Sequence, residues 1–528
     1  MDASIVSAKL PAANVPVHSN AAFKNENMSD RPAGRKISLA GNLGWAAAGS
    51  VTRLSAQLMC QMVLARLLLP ADYGIFSIAL IITTFASFLS EFGGSAALVK
   101  NKEISVLDIR INFTLQVLIG LFVTVALACS ASLIAELLHK PDCAPVLRVL
   151  SLNCSLTMLS VVSQRLLARQ MRFREIQSIN IAGYLLGYVF IGIPMAYLHC
   201  GVWALVAAWF AQTGTTLLFS YALIRHNLVP YLSMGRVAAQ IGFGIQTFVS
   251  GILTWGIVSV DRIVVARFNS PANLGLYTNA YNLASAPIWQ IVSSLQQVLF
   301  SNASKDQNDT LRLQTSYRRS LIIVSTIAIP AFFTLALASA EVVFLVYGAK
   351  WVAAALVVTP LAMAMPFYAM NGVSTPVMWA KGRISLDVST QAVTLGCLVA
   401  GLLLVSRLQM AAAAWVVLVT YIGRSLAVVH MTSRLLDDCV NLWRWMRHWL
   451  AVGTATLILQ GLTLESARRF GVSAPAIVVL AGLLLSILLL AELYLLSKFG
   501  DSMEREFGHT VLRKLCSLLR KFGTRRGP

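Results

Sequence analysis

Apolar runs the length of a membrane span fill most of this chain, separated by short polar breaks. "FTLQVLIGLFVTVALACSASLIAELL" from Phe113 is one such run. A bilayer core takes about 20 apolar residues per helix. The pattern predicts spans near 39–65, 74–97, 112–136, 146–163, 178–198 and 202–224. After the break "RHNLVPYLSMGR" it predicts spans near 240–265, 276–300, 320–340, 352–376, 388–406 and 411–431. A second break, "SRLLDDCVNLWRWMRH", precedes spans near 448–464 and 474–497. The expectation is an all-α integral membrane protein of about fourteen transmembrane helices.

Composition agrees. The 528 residues are 57% hydrophobic and 12% charged, with mean hydropathy +0.71. A soluble domain carries about 25% charged residues. The net charge of +20 would suggest nucleic acid in a soluble protein. Here the basic residues sort by side of the membrane. With the N-terminus inside, alternate segments hold 31 Lys and Arg against 9 in the others, with two more inside spans. That is the positive-inside pattern, and it places both termini in the cytoplasm. The eight cysteines are scattered and no metal-ligand spacing occurs, so no metal or cofactor is expected.

A repeat divides the chain. "ARLLLPADYGIFSIA" (65–79) returns 201 residues later as "ARFNSPANLGLYTNA" (266–280). Ala65, Arg66, Pro70, Ala71, Gly74 and Ala79 match Ala266, Arg267, Pro271, Ala272, Gly275 and Ala280. Six spans separate the copies, so both cross in the same direction. That predicts two six-helix lobes related by a pseudo-twofold along the membrane normal. The expected organisation is a disordered tail (1–36), an N-lobe (37–226), a C-lobe (236–432), two further helices (447–497) and a basic amphipathic tail (498–528).

The chemistry lies inside the spans. Arg53 and Arg424 fall near the middle of the first and twelfth spans, where charge is costly. No acid reads as lying at their depth, since Glu91 and Asp261 sit towards span ends. Both arginines are therefore candidates for binding an anion, and guanidinium suits a diphosphate. Glu91 and Asp261 are candidates for ion coupling, or for capping and pairing. Arg53, Gln57 and Gln61 share one helix face; Gln246, Ser250 and Thr254 share another. Tyr281, Ser285 and Trp289 form a third stripe, and Trp255 also lies at mid-depth. Such stripes line a cavity or bind helices together. Pro360, Pro366 and Pro376 in the tenth span mark a hinge or a static kink. No D-x-D, P-loop or H-E-x-x-H occurs and every outer loop is short, which speaks against an enzyme or an ATP-driven pump.

Several stretches in order resemble a known family. "ARLLLPADYGIFSIA", "EFGGSAALVK", "RLLARQMRFRE" and "VDRIVVARFNSPANLGLYTNAYNLASAPIWQIVSSLQQVLF" are similar to the polysaccharide transporter (Wzx-type) flippases. These belong to the multidrug/oligosaccharidyl-lipid/polysaccharide exporter superfamily. The resemblance covers about residues 37–497. It implies a bacterial inner-membrane flippase for undecaprenyl-diphosphate-linked oligosaccharide repeat units, feeding exopolysaccharide, capsule or O-antigen synthesis. It further implies alternating access, a lipid-linked substrate, contact with membrane lipids, and polymerase and chain-length machinery as pathway partners. Competing readings are a drug or metabolite cation antiporter of the same superfamily and, more remotely, a polysaccharide polymerase or glycosyltransferase.

Overall fold

The computed structural model describes residues 54–92, 104–170, 172–232, 234–305, 310–436 and 442–499, with 505, 508–513 and 517. The helices run in order α1 (Leu54–Leu67), α2 (Pro70–Phe92), α3 (Val106–Leu137), α4 (Cys143–Arg169), α5 (Phe173–Tyr197) and α6 (Val202–Leu223). Then follow α7 (Met234–Phe268), α8 (Pro271–Lys305), α9 (Thr310–Leu337), the short α10 (Ser339–Tyr347) and α11 (Ala355–Ala380). The chain continues with α12 (Ile384–Val405), α13 (Met410–Leu435), α14 (Leu442–Arg469) and α15 (Ala474–Phe499). Among the described residues, eleven helices are long and apolar enough, by length and composition, to cross a membrane. The three other expected spans are helical where described, as α1, α2 and α8; the full count of fourteen stays an expectation of the sequence.

These helices are inside out relative to a water-soluble protein. In α3, Phe122 is 72% exposed while Asn112 and Gln116 are fully buried. Leu118, Leu121 and Val125 are exposed beside it. Water would penalise such a surface; lipid tails do not. Buried side chains must still satisfy their polar atoms, so polar residues turn inward, as Thr124 does by donating to the Ser151 carbonyl of α4 at 2.9 Å. The start of α3 is set by a capping box. Ser105 accepts from the Asp108 N–H, and Asp108 accepts from the Ser105 N–H at 2.9 Å.

Packing falls into two groups. α3 and α2 lie on α4, α4 lies on α6, and α5 lies on α6. In the second group α11 is central, packed by α8, α9 and α13, with α12 against α7. α14 and α15 attach to the outside of α9. The groups meet where α2 packs on α8 and α7.

α11 is continuous through Pro360, Pro366 and Pro376, and all three are buried. Proline at 376 removes the N–H that would serve the Gly372 carbonyl. Gln296 of α8 replaces it, its amide donating to that carbonyl at 2.9 Å. The prolines therefore lie in a continuous, buried helix in the middle of the second group. A hinge there would have to break its densest contacts.

Candidate functional site

The two copies of the repeated loop meet each other. Pro70 and Pro271 open α2 and α8, and Gly74 and Gly275 lie one turn further on. A Cβ on Gly74 would collide with the Pro271 carbonyl oxygen, and a Cβ on Gly275 with the Pro70 carbonyl oxygen. The contact is reciprocal, as a twofold axis requires. Glycine is needed at both places because backbone occupies the space a side chain would take.

More bonds close the same face. Trp351 is wholly buried, and its indole donates to the Ala65 carbonyl at 2.8 Å. Tyr73 meets that ring edge-on at 5.2 Å. Arg66 donates to the Leu345 carbonyl at 2.8 Å, and Lys350 donates to the Arg66 carbonyl at 3.1 Å. The halves are shut together at this end. Nearer mid-depth Trp255 of α7 packs on Phe85 of α2, with ring centroids 4.7 Å apart. Its buried indole nitrogen has no hydrogen-bond partner.

The second group carries buried charge. Arg424 of α13 does have an acid, contrary to the expectation from sequence. Its guanidinium lies 3.9 Å from Asp387 of α12. Asp387 is fully buried and accepts from Trp379 at 2.9 Å, Gln391 at 3.0 Å and Thr375 at 3.4 Å. Gln391 also donates to Ser250 at 3.1 Å, and Thr254 donates to Gln391 at 3.4 Å. The Ser250 and Thr254 stripe of α7 therefore joins helices through Gln391. The apolar run of the eleventh span begins at 388, so Asp387 reads as a loop residue, yet the helix starts at Ile384. Its one legible signal was the i, i+4 spacing to Gln391.

Asp261 and Arg262 occupy the end of α7, about 10 Å from its terminus at Phe268. Asp261 is buried and fully engaged. Tyr277 donates to it at 2.9 Å, and it accepts the Arg262 N–H at 2.8 Å. The count of basic residues by side grouped Arg262 with the outer segments, although it falls within the span near 240–265. The structure instead lays its guanidinium over the Tyr281 ring at 4.5 Å. The charge asymmetry across the membrane survives this change. From Tyr281 an aromatic series continues inward. Tyr421 lies beside Tyr281, Tyr368 lies 5.8 Å from Tyr421, and Trp289 stacks on Tyr368 at 6.4 Å. Trp289 ends the series 47% exposed. Ser285, on the same helix, is buried. Tyr368 and Tyr421 escaped sequence reasoning because aromatic residues in apolar runs carry no positional signal.

Of the first group's candidates, Arg53 lies outside the described residues, as does the side chain of Glu91, and in the second group that of Gln246. Gln57 and Gln61 are half-buried on α1. Tyr184 reaches the Gln57 carbonyl at 3.4 Å and stacks on Tyr188 at 4.6 Å. Between α2, α4 and α6 a small cavity of about 120 Å³ is lined by Thr83, Thr84, Asn153, Thr157 and Trp209 among others. No described group of His, Cys, Asp and Glu could hold a metal ion.

The sequence matches the family described as "Polysaccharide biosynthesis protein" over residues 63–356. The chain belongs to that family. Among its relatives is "Lipopolysaccharide biosynthesis protein WzxC" of Escherichia coli strain K12, 27% identical over 349 residues, 65% of this chain and 70% of that protein. "Succinoglycan biosynthesis transport protein ExoT" of Rhizobium meliloti strain 1021 is 26% identical over 63% of this chain and 66% of that protein. The fold is that of "Lipid II flippase MurJ, inward closed conformation", with TM-score 0.69 and 12% identity, covering 85% of this chain and 98% of that one. A multidrug resistance MATE family transporter in its inward-facing conformation has TM-score 0.54 at 15% identity, covering 75% of this chain and all of that one. This member of the polysaccharide biosynthesis family is thus a multi-pass membrane protein with the fold of that transporter superfamily.

Proposed function

We propose that the protein is a flippase that carries undecaprenyl-diphosphate-linked oligosaccharide units across the bacterial inner membrane by alternating access. Both termini lie in the cytoplasm, and the product feeds polysaccharide assembly by the polymerase and chain-length machinery of the same pathway. The observation that carries this reading is the reciprocal contact of the two repeated loops. It makes a two-halved membrane protein shut at one face by a seal on its own pseudo-twofold, which is one end state of an alternating-access cycle. The names of the relatives support the substrate class. Arg53 is the candidate ligand of the diphosphate in the first half, because guanidinium can bind it bidentately. The half-exposed Trp289, stacked on Tyr368, offers a face for a sugar ring. Asp261 already holds two donors, so ion coupling there would require it to exchange partners.

The test is complementation. The full-length chain is expressed in a strain lacking its own exporter of lipid-linked repeats, and surface polysaccharide is measured. Restoration is expected, with loss in Arg53→Ala at equal expression. Normal export from Arg53→Ala removes that residue's role. Failure to restore, together with efflux of cationic dyes, moves the protein to the antiporters.

A further inference from the structure

A second feature lies on the flank of the molecule, away from the seam between the halves. Between α12 and α13 lies a groove of about 810 Å³. Val393, Trp415 and Val419 on its walls are strongly exposed, so it opens towards the surrounding lipid. Its two ends differ. At one, Val405, Ala412 and Val416 close it, and a Cβ on Gly401 would strike Val416. At the other, Ser389, Thr390, Thr394 and Arg424 line it, and a Cβ on Gly423 meets open space.

The corresponding helices of the first half pack closely where they are described. α5 and α6 lie in direct backbone contact. A Cβ on Gly187 would collide with the Ala208 carbonyl, and one on Gly183 with the Gln212 carbonyl. The opening between α12 and α13 is therefore specific to the second half and is not imposed by the repeat.

Donors at the wide end are few. The hydroxyls of Ser389, Thr390 and Thr394 all donate to their own helix, to the carbonyls of Leu386, Asp387 and Thr390. What is left is Arg424. Its side chain is 9% exposed, its nearest acid among the described residues is 3.9 Å away, and its buried Nε has no hydrogen-bond partner among them. A buried guanidinium N–H without an acceptor is costly unless something supplies one. The site is thus one narrow apolar slot between two helices, ending at a cation with spare donors. Arg424 lies about 16 Å inside the Leu435 end of α13. That is deeper than a resting lipid headgroup, as required of a headgroup drawn into the membrane.

We propose that the α12–α13 groove binds the prenyl chain of a polyprenyl diphosphate, with the diphosphate against Arg424, as a lateral holding site for the substrate's carrier. The site rests on the flippase reading above. A diphosphate matches the guanidinium fork, and a single slot suits one chain better than the paired chains of a phospholipid.

The test uses the full-length protein in phosphatidylcholine nanodiscs with a polyprenyl diphosphate carrying a photoreactive group in its chain. Labelled peptides are mapped by mass spectrometry. Labelling of α12 and α13 is expected, competed by unlabelled polyprenyl diphosphate and not by phosphatidylglycerol. Gly423→Trp fills the open space and leaves the Arg424–Asp387 pair in place; it should cut labelling at least tenfold. Arg424→Gln should do the same, and Arg424→Lys should retain part of it. Labelling confined to other helices, unchanged labelling in Gly423→Trp, or equal competition by phosphatidylglycerol overturns the proposal. Wild-type export without labelling here leaves the flippase reading standing and removes the groove. Labelling here by a protein that restores no export does the reverse.

Discussion

The two halves share a backbone plan at the axis and differ in what they bury. At the 201-residue offset Asp261 aligns with Cys60. Asp261 is a buried carboxylate held by Tyr277 and flanked by Arg262. Cys60 is a buried neutral thiol beside Tyr184. The contrast extends through the described interior. The first half buries Asn112, Gln116, Asn153 and Ser151, all neutral, whereas every buried acid among the described residues, including Asp261 and Asp387, comes after residue 260. The seal tolerates no divergence, because a side chain at Gly74 or Gly275 would meet backbone from the other half. Interior positions are under no such mutual constraint. A neutral polar group needs only a hydrogen bond, while a buried charge needs a matched partner. Among the described residues the second half thus carries the buried acids, and with them the greater cost of any single loss.

The largest expected effect tests the symmetry. Gly74→Val and Gly275→Val each drive a side chain into the opposite half, and each should lower export at least tenfold. A cysteine at Leu69, next to the seal, should then become more reactive to an impermeant maleimide. Unequal effects of the two variants would show that the halves are not equivalent at the axis.

Next comes the contrast in buried charge. Asp387→Ala strands Arg424 and should cost about 3–5 kcal/mol. Asn153→Ala in the first half should cost about 1 kcal/mol. Thermal melts of the purified proteins measure both, and Asp387→Ala combined with Arg424→Leu should recover part of the loss. Equal costs for the two single variants would erase the distinction. Smaller still, Trp351→Phe removes the bond to the Ala65 carbonyl across the seal, at about 0.5–1.5 kcal/mol in the same melts.

The smallest effect concerns pH. Burial pushes the Glu341 carboxyl up, but hydrogen bonds from Arg468 outweigh it and hold the group below its ordinary value. The lowered folded value means this pair stabilises fully above the unfolded value of about 4.5, and the contribution fades as pH falls through the folded one. Arg468 is partly exposed, so the effect should stay under about 1 kcal/mol. Glu341→Gln should flatten the acid limb of a melting-temperature profile; an unchanged limb would assign it to other groups.

Much of the architecture was legible because lipid imposes a one-dimensional rule. Apolar runs match α3, α4, α5, α6 and α12 to within a few residues. Hydropathy misses polar residues that remain helical beyond the apolar stretch, and so it missed Asp387. It also missed α10, which continues the chain after α9 as a separate short helix.

By itself the sequence determined the helical membrane class and the two-halved plan, because both are written in local hydropathy and in a repeat at a fixed offset, and the family showed in the resemblance of its motifs. Tertiary structure alone decided which polar residues meet. Arg424 and Asp387 are 37 positions apart, and Trp351 reaches Ala65 across 286. It also decided the meaning of the repeat. Pro70 with Gly275, and Pro271 with Gly74, are local turn signals in the chain, but they become a seal only when the two copies face each other and backbone excludes every side chain but hydrogen.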